Sequence, residues 1–394
     1  VSDTRTAALH AGSTSQIVPT VILGGAGYVA GELLRILAGH PVLRPEAVVS
    51  TSRTGEPVVE AFPHLAGTGI EPLRFVSTDD VVFAGGAPTA VFAATPHGET
   101  AALLDVLLAR AEAAEAPVHA VDLSADFRFR DPGVFTAIYG RPHGAPQRAR
   151  EFVCAVPEHA RGSRARHAAQ PGCFTTAAVL AAYPFFALDL VQGPVFVSAI
   201  TGSSGSGRVP GAGTHHPERR SALYAYSPLA HRHEAEMRAL LAEAVAAAGA
   251  LAGDEAAAIV STTARAAAPG AGSAAAGPEV EFVPHSGPFV RGIHATVRLN
   301  LKTPADAARL AEALRTFYTG CSFVRVGTTP PRLNDVVGTN LCRIGIAARG
   351  RTAVVTSVID NLVKGAAGGA VQWMNRLLDL PEDTGLRLPG LGVF

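Results

Sequence analysis

The sequence predicts an α/β protein, a doubly wound parallel sheet followed by an α+β domain. Three observations carry this expectation. Short apolar runs closed by glycine turns alternate with helical repeats along the first part of the chain. Beyond Cys173 the texture changes to alternating strands gathered with long helices. Hydrophobic residues make up 48% of the 394 and charged residues 17%, the balance of a globular protein with ample core.

Taken in order, Pro19 to Leu23 (PTVIL) is a buried strand bounded by GGAG. Gly31 to Ala38 carries helical spacing at Leu33, Leu34 and Leu37 and stops before Gly39-His40-Pro41. Ala47 to Val49, Ala90 to Ala94 and Val118 to Leu123 are further strands, with a helix over Thr100 to Ala114 between the last two. Strands follow at Pro194 to Thr201, Glu279 to Val283, Ile293 to Asn300 and Arg351 to Ile359. Helices are expected at about 233–249 and 304–318, and a final one over Asn361 to Leu378. Ala266 to Gly277 (AAAPGAGSAAAG) reads as a low-complexity surface loop, and residues 1–17 as a disordered tail.

Net charge is zero and no basic run occurs, which argues against nucleic acid or a membrane surface as partner. No apolar stretch is long enough to span a bilayer. Cys154, Cys173, Cys321 and Cys342 show no CxxC spacing, so disulfides are not expected and the working location is the cytoplasm.

Two segments point to chemistry. Gly24-Gly25-Ala26-Gly27-Tyr28-Val29-Ala30-Gly31 follows a strand and opens a helix, where backbone N–H groups can hold a pyrophosphate. A tight turn that binds nothing is the plain alternative. The second strand ends in Ser50-Thr51-Ser52-Arg53, with hydroxyls and a guanidinium where an NAD-selective fold usually has an acid. That chemistry suits the 2′-phosphate of NADP, though a solvated Arg53 would look the same.

Gln170-Pro171-Gly172-Cys173 places a thiol where a helix begins, so N–H groups and the helix dipole favour the thiolate. A small buried hydrophobe is the bland reading of a lone cysteine. A nucleophile needs a proton carrier. His231 lies just before a predicted helix, and Glu236 on its first turns is expected to orient the imidazole. Histidines at 215, 231 and 233 also allow a zinc hydrolase, but no spaced cysteine accompanies them and no metal is expected.

At this point eight motifs in one order carry a resemblance. They are GGAGYVAGELLR, TPHG, DLSADFR, PGCFTTA, GSSGSGR, HRHEAE, PHSGPFVRG and DNLVKGAAGGAVQ. From about Pro19 to Gly385 the chain resembles the N-acetyl-gamma-glutamyl-phosphate reductase family, relatives of aspartate-semialdehyde dehydrogenase. The resemblance implies a Rossmann domain, a catalytic domain of the semialdehyde-dehydrogenase type, NADP and a thioester intermediate. It implies Cys173 as nucleophile, His231 as base with Glu236 behind it, and Asn361 at the nicotinamide end. Gly24, Gly27, Tyr28, Val29, Ser52, Arg53 and Pro96 complete the expected cofactor site. Arg128, His233 and Arg291 are the expected anchors for substrate phosphate or carboxylate.

Gln170 departs from the family's Asn, Ala30 from its third glycine and Ala230 from the glycine before HRH. HHPER (His215 to Arg219) resembles the branch that acts on aminoadipyl or glutamyl phosphate tethered to a small acidic carrier protein. Arg208, Arg219, Arg220 and Arg232 lie near the expected site and suit either substrate. The expected domains are 18–172 for cofactor, 173–359 for catalysis and oligomerisation, and 360–394 returning to the first. A homodimer or homotetramer is expected. The reading is NADPH-dependent reduction of N-acetyl-gamma-glutamyl phosphate, with the carrier-linked reaction as alternative and a non-catalytic NADP-binding regulator as the reading from another class.

Overall fold

The computed structural model describes residues 17–252 and 277–392. The expected tail (apart from residue 17) and the loop at 266–276 lie outside them. The first sheet contains β1 (Val18–Leu23), β2 (Leu43–Val49), β3 (Phe75–Val76), β4 (Thr89–Ala93), β5 (Val118–Asp122), β6 (Phe152–Cys154) and β7 (His167–Ala169). Its order is β3-β2-β1-β4-β5-β7-β6 and every pairing is parallel. β4 is buried at all five positions, because a parallel strand has helices on both faces. The chain leaves β1 and β4 toward opposite edges, so the turns after these two neighbours bound the crevice in which such sheets bind ligands.

β2 starts at Leu43, four residues before the expected strand. Only Val48 and Val49 pair with β3, so Arg44-Pro45-Glu46 forms an open edge, where polar residues and a proline are tolerated. An apolar run therefore marks just the covered half.

The second sheet is mixed. It contains β8 (Val191–Thr201), β9 (Tyr224–Ala225), β10 (Val280–Ser286), β11 (Ile293–Leu301), β12 (Val324–Gly327), β13 (Cys342–Arg349) and β14 (Thr352–Ile359), in the order β12-β13-β14-β11-β8-β10-β9. β11 alternates buried and more exposed positions along its whole length. Its buried face packs on helix Cys173–Ala187, within a core that also holds Met237, Leu240, Leu310 and Leu314 from helices His233–Ala252 and Ala307–Phe317. Helix Cys173–Ala187 buries thirteen of its fifteen residues, Pro184 included.

Two further cores cover the faces of the first sheet. One holds helix Thr100–Ala113 and the other helix Tyr28–Leu37 with Trp373 from the end of the chain. The expected final helix is divided: Asn361 begins a turn, Val363–Ala367 is a π-helical segment, and Gly368–Leu377 is α-helical. Trp373 donates its indole N–H to Ala155 O at 2.8 Å, tying this helix to the first sheet. Among the described residues no helix is long and apolar enough to cross a membrane.

Candidate active site

β7 ends at Ala169, and four residues later Cys173 opens its helix with Gly172 as N-cap. Two glycines shape the space around the thiol. A Cβ on Gly172 would lie 2.4 Å from His233 Nε2, so glycine lets the imidazole press against the helix start. A Cβ on Gly365 would lie 2.8 Å from Cys173 Cβ, so the π-helical segment closes the opposite side. The four cysteines are free thiols.

Glu236 organises this helix start. Its carboxylate accepts from Gly172 N at 2.9 Å, Thr175 Oγ1 at 3.0 Å and Arg128 Nη1 at 2.8 Å. Burial alone would raise its pKa. The Arg128 guanidinium, His233 and the Gly172 N–H reverse that and hold it at about 2, so the group is ionised.

The expectation that Glu236 orients His231 is therefore corrected. Its oxygens serve the thiol helix, and the nearest imidazole is His233, with Nε2 4.0 Å from Oε1. His231 is held differently, its Nδ1 accepting from the His233 backbone N–H at 3.1 Å. An imidazole that accepts at Nδ1 carries its neutral proton on Nε2, which makes His231 a donor at Nε2. His233 Nδ1 is buried with no partner. The two rings stand edge to face at 4.6 Å, among Phe174, Tyr226 and Phe282. Burial in this aromatic surround lowers His231 to about 4 and His233 well below the usual range. Both are neutral at pH 7.

Cys173 also departs from expectation. Burial pushes the thiol up to about 11, while Arg128 and the Phe174 N–H pull it down and Glu236 pushes it up. Helix-start donors act in the direction expected from sequence, but desolvation outweighs them. The resting pair is a neutral thiol beside neutral imidazoles.

Arg128 and Arg291, the expected anion anchors, are bonded within the protein. Arg128 also donates to Gln170 O at 3.0 Å and Leu123 O at 3.2 Å. Arg291 bridges Glu32 at 3.1 Å and Asp360 at 3.0 Å. Each guanidinium joins segments far apart in sequence.

The glycine turn lies at the end of β1. Gly24 has φ +75°, and a Cβ there would fall 2.5 Å from Ala94 O, so the turn sits tight on the end of β4. Helix Tyr28–Leu37 has no acid in its first turn and no side chain capping it, leaving its N–H groups for an anion. Ser52 and Arg53 follow β2; Arg53 pairs with Glu56 at 3.3 Å and lies over the Phe75 ring. Tyr28 is exposed and Val29 half-buried, and Pro96 is exposed in the loop after β4. These residues fit a dinucleotide. Asn361 accepts from Gly292 N at 2.7 Å and donates to Ser204 Oγ at 3.0 Å, clamping two loops. With Tyr28, Ser204, Arg208 and Arg291, these loops line a cavity of about 420 Å³.

The DLSADFR motif builds the frame. Asp126 accepts from Gly98 N and Ala101 N, and Asp122 from Ser124 N and Phe127 N. Thr175, Tyr139, Tyr226 and His97 escaped the sequence reading. His97 is lowered to about 3, first by burial and then by Arg128, Arg232 and Arg141. Arg232 in turn lies 5.7 Å over the Tyr139 ring. The TPHG and HRHEAE motifs contained the signal for that cluster; Tyr139 and Tyr226 belonged to none. Among the described residues no three His, Cys, Asp or Glu side chains are grouped to hold a metal ion.

Comparison with known proteins follows the same division. Residues 19–164 match the semialdehyde dehydrogenase NAD binding domain, and residues 173–252 and 268–361 its dimerisation domain. N-acetyl-gamma-glutamyl-phosphate reductase of Acidithiobacillus ferrooxidans is 37% identical over 93% of this chain and 96% of its own. The Methanopyrus kandleri enzyme of the same name is 38% identical over 94% and 98%. A putative [LysW]-L-2-aminoadipate/[LysW]-L-glutamate phosphate reductase of Aeropyrum pernix is 35% identical over 94% and 97%. Aspartate semialdehyde dehydrogenase II of Vibrio cholerae shares the fold, with TM-score 0.62 at 16% identity over 93% of this chain and 99% of that one. With a nicotinamide-cofactor domain, a dimerisation domain and full-length relatives above 35% identity, the chain belongs to the N-acetyl-gamma-glutamyl-phosphate reductase family of oxidoreductases.

Proposed function

We propose that the protein reduces N-acetyl-gamma-glutamyl phosphate to the semialdehyde, with NADPH as reductant and Cys173 as nucleophile. The observation that carries this reading is the placement of Cys173 at a helix start whose Gly172 lies against His233, with Gly365 of the π-helical segment after Asn361 against the Cys173 Cβ. A thiol there opens a helix with a proton acceptor packed against its N-cap.

His233 takes the thiol proton, its charge met by Glu236, and the sulfur attacks the acyl carbon. Backbone N–H groups at the helix start and His231 Nε2–H stabilise the developing oxyanion. Phosphate leaves with the electron pair of the broken C–O bond, and a thioester to Cys173 remains. When bound, the reduced nicotinamide supplies the hydride for the thioester carbonyl. The resulting thiohemiacetal collapses, releasing aldehyde, as the sulfur regains its proton from His233. Arg128 holds Glu236 and the helix start in place. Arg53 and Ser52 read the 2′-phosphate.

The carrier-linked reaction is the second reading, supported by the HHPER segment and by the Aeropyrum relative. A second copy of the chain covers the helix-free face of the second sheet, where Phe196, Ile200, Thr296 and Val354 are half-buried. The test is NADPH oxidation by the purified protein with each acyl phosphate in turn. Turnover of neither would refute the reading; turnover only on an acidic carrier conjugate, fading with salt, would select the second.

A further inference from the structure

Arg128 and Arg219 are the buried arginines among the described residues. Arg128 has a carboxylate; Arg219, which is 7% exposed, has none. Its Nη1 donates to Ser286 Oγ, while Nε and Nη2 are buried without an acceptor. Those two nitrogens form one straight edge of the guanidinium, the edge that meets a carboxylate side-on through two parallel hydrogen bonds. A buried charge left this way is costly unless an anion completes it.

Arg219 sits among the strand ends that border the site. Ser286 ends β10 and is in register with Thr201, which ends β8 just before the loop clamped by Asn361. On its other side Ser286 pairs with Tyr224. Tyr226, next along that strand, lies within electrostatic reach of both the Cys173 thiol and Arg219. The short helix His216–Arg219 and the segment to Tyr224 wall a cavity of about 620 Å³, lined by Gly213, His215, Glu218, Ala222 and Tyr224.

We propose that Arg219 is the specificity residue for the substrate's free carboxylate, the one on the carbon that bears the blocked amine, held bidentately across the Nε–Nη2 edge. The assignment rests on the reductase reading. The reacting phosphate departs at Cys173, and a separate group of cations, Arg232 and Arg141, lies around His97. A planar two-oxygen anion matches the open edge whatever group blocks the amine.

The test runs the reaction from aldehyde, phosphate and NADP. N-acetylglutamate semialdehyde is compared with 4-acetamidobutanal, which lacks only that carboxylate. The wild type is expected to favour the first by roughly 10²–10³ in kcat/KM. Arg219→Gln should abolish most of this preference, leaving kcat/KM for 4-acetamidobutanal within about threefold and KM for phosphate unchanged. Arg219→Lys, which keeps the charge but not the fork, should recover only part. Equal loss on both aldehydes would make Arg219 structural, and a raised KM for phosphate would give it to the other anion; either overturns the proposal. A second measurement needs no turnover: protection of Cys173 from iodoacetamide by N-acetylglutamate or 4-acetamidobutyrate. Protection by the first alone, lost in Arg219→Gln, supports the assignment, and equal protection by both acids overturns it. A wild type that turned over neither aldehyde would refute the N-acetylated substrate, and the protection ratio would still decide Arg219.

Discussion

Cys173 is a thiol at rest, because burial outweighs the donors at its helix start and raises it to about 11. In the free enzyme its thiolate fraction should therefore climb roughly tenfold per pH unit from pH 7 to 10. Iodoacetamide labelling of Cys173 should climb in parallel; a plateau already reached below pH 7 would instead indicate a preformed thiolate–imidazolium pair. The two imidazoles divide the remaining work. His233 lies against Gly172 beside Glu236, and His231 is committed at Nδ1 to a backbone N–H. His233→Asn should lower kcat by roughly 10²–10⁴, the span for losing an acid–base group. His231→Asn keeps a side-chain donor and should cost less. A larger loss in His231→Asn would return the base to the residue expected from sequence.

At the scale of elements, the π-helical segment Val363–Ala367 matters most. A single-turn π segment shifts the following helix and is common at functional sites. Here it brings Gly365 against the Cβ of Cys173, with no room for a methyl group. Gly365→Ala should push Cys173 from its position and lower kcat by about 10²-fold, the scale of an ångström-sized misplacement. Cofactor affinity should change by less than a few-fold, since the glycine turn lies on another element. An unchanged kcat would show that the contact has slack. The HHPER helix illustrates the converse: four residues carry no helical pattern worth reading, yet they seat the one buried arginine that has no carboxylate among the described residues.

Across the whole molecule, buried ion pairs join the end of the chain to the first sheet. Lys364 and Glu158, both fully buried, lie 2.6 Å apart, and Gln372 bonds both. Burial would raise Glu158, but Lys364 holds its pKa below the usual carboxylate value. Its stabilising contribution is therefore complete above the unfolded pKa and lost as pH falls through the depressed folded value. Glu158→Gln leaves Lys364 without a countercharge and should destabilise the protein by about 3–5 kcal/mol. A loss under about 1 kcal/mol in urea unfolding would mean that the pair contributes little net stability. In the proposed reaction the cofactor would reach from Arg53 on the first lobe to the loops clamped by Asn361. Arg53→Ala should raise KM for NADPH about tenfold and leave NADH use nearly unchanged. Equal losses with both cofactors would show that Arg53 does not read the 2′-phosphate.

Local pattern alone was enough for the strands that bury both faces, such as Pro19 to Leu23, and for the glycine turn, whose φ and close approach are backbone demands made by residue type. It was also enough for the helix that begins at the thiol, because apolar residues run on after Pro-Gly. It failed at β13 and at the open half of β2, where pairing partners rather than composition decide the strand. The site residues were legible as types. Their pairings were not: Glu236 with Arg128, Gly172 and Thr175, Arg291 with Glu32 and Asp360, and Arg219 with Ser286 alone. These partners lie tens to hundreds of residues apart, and charge states depend on burial and on the groups nearby in space. Residue types at short range carry the chemistry available to this chain; tertiary packing decides which groups are neutral, which are paired and which remain open for substrate.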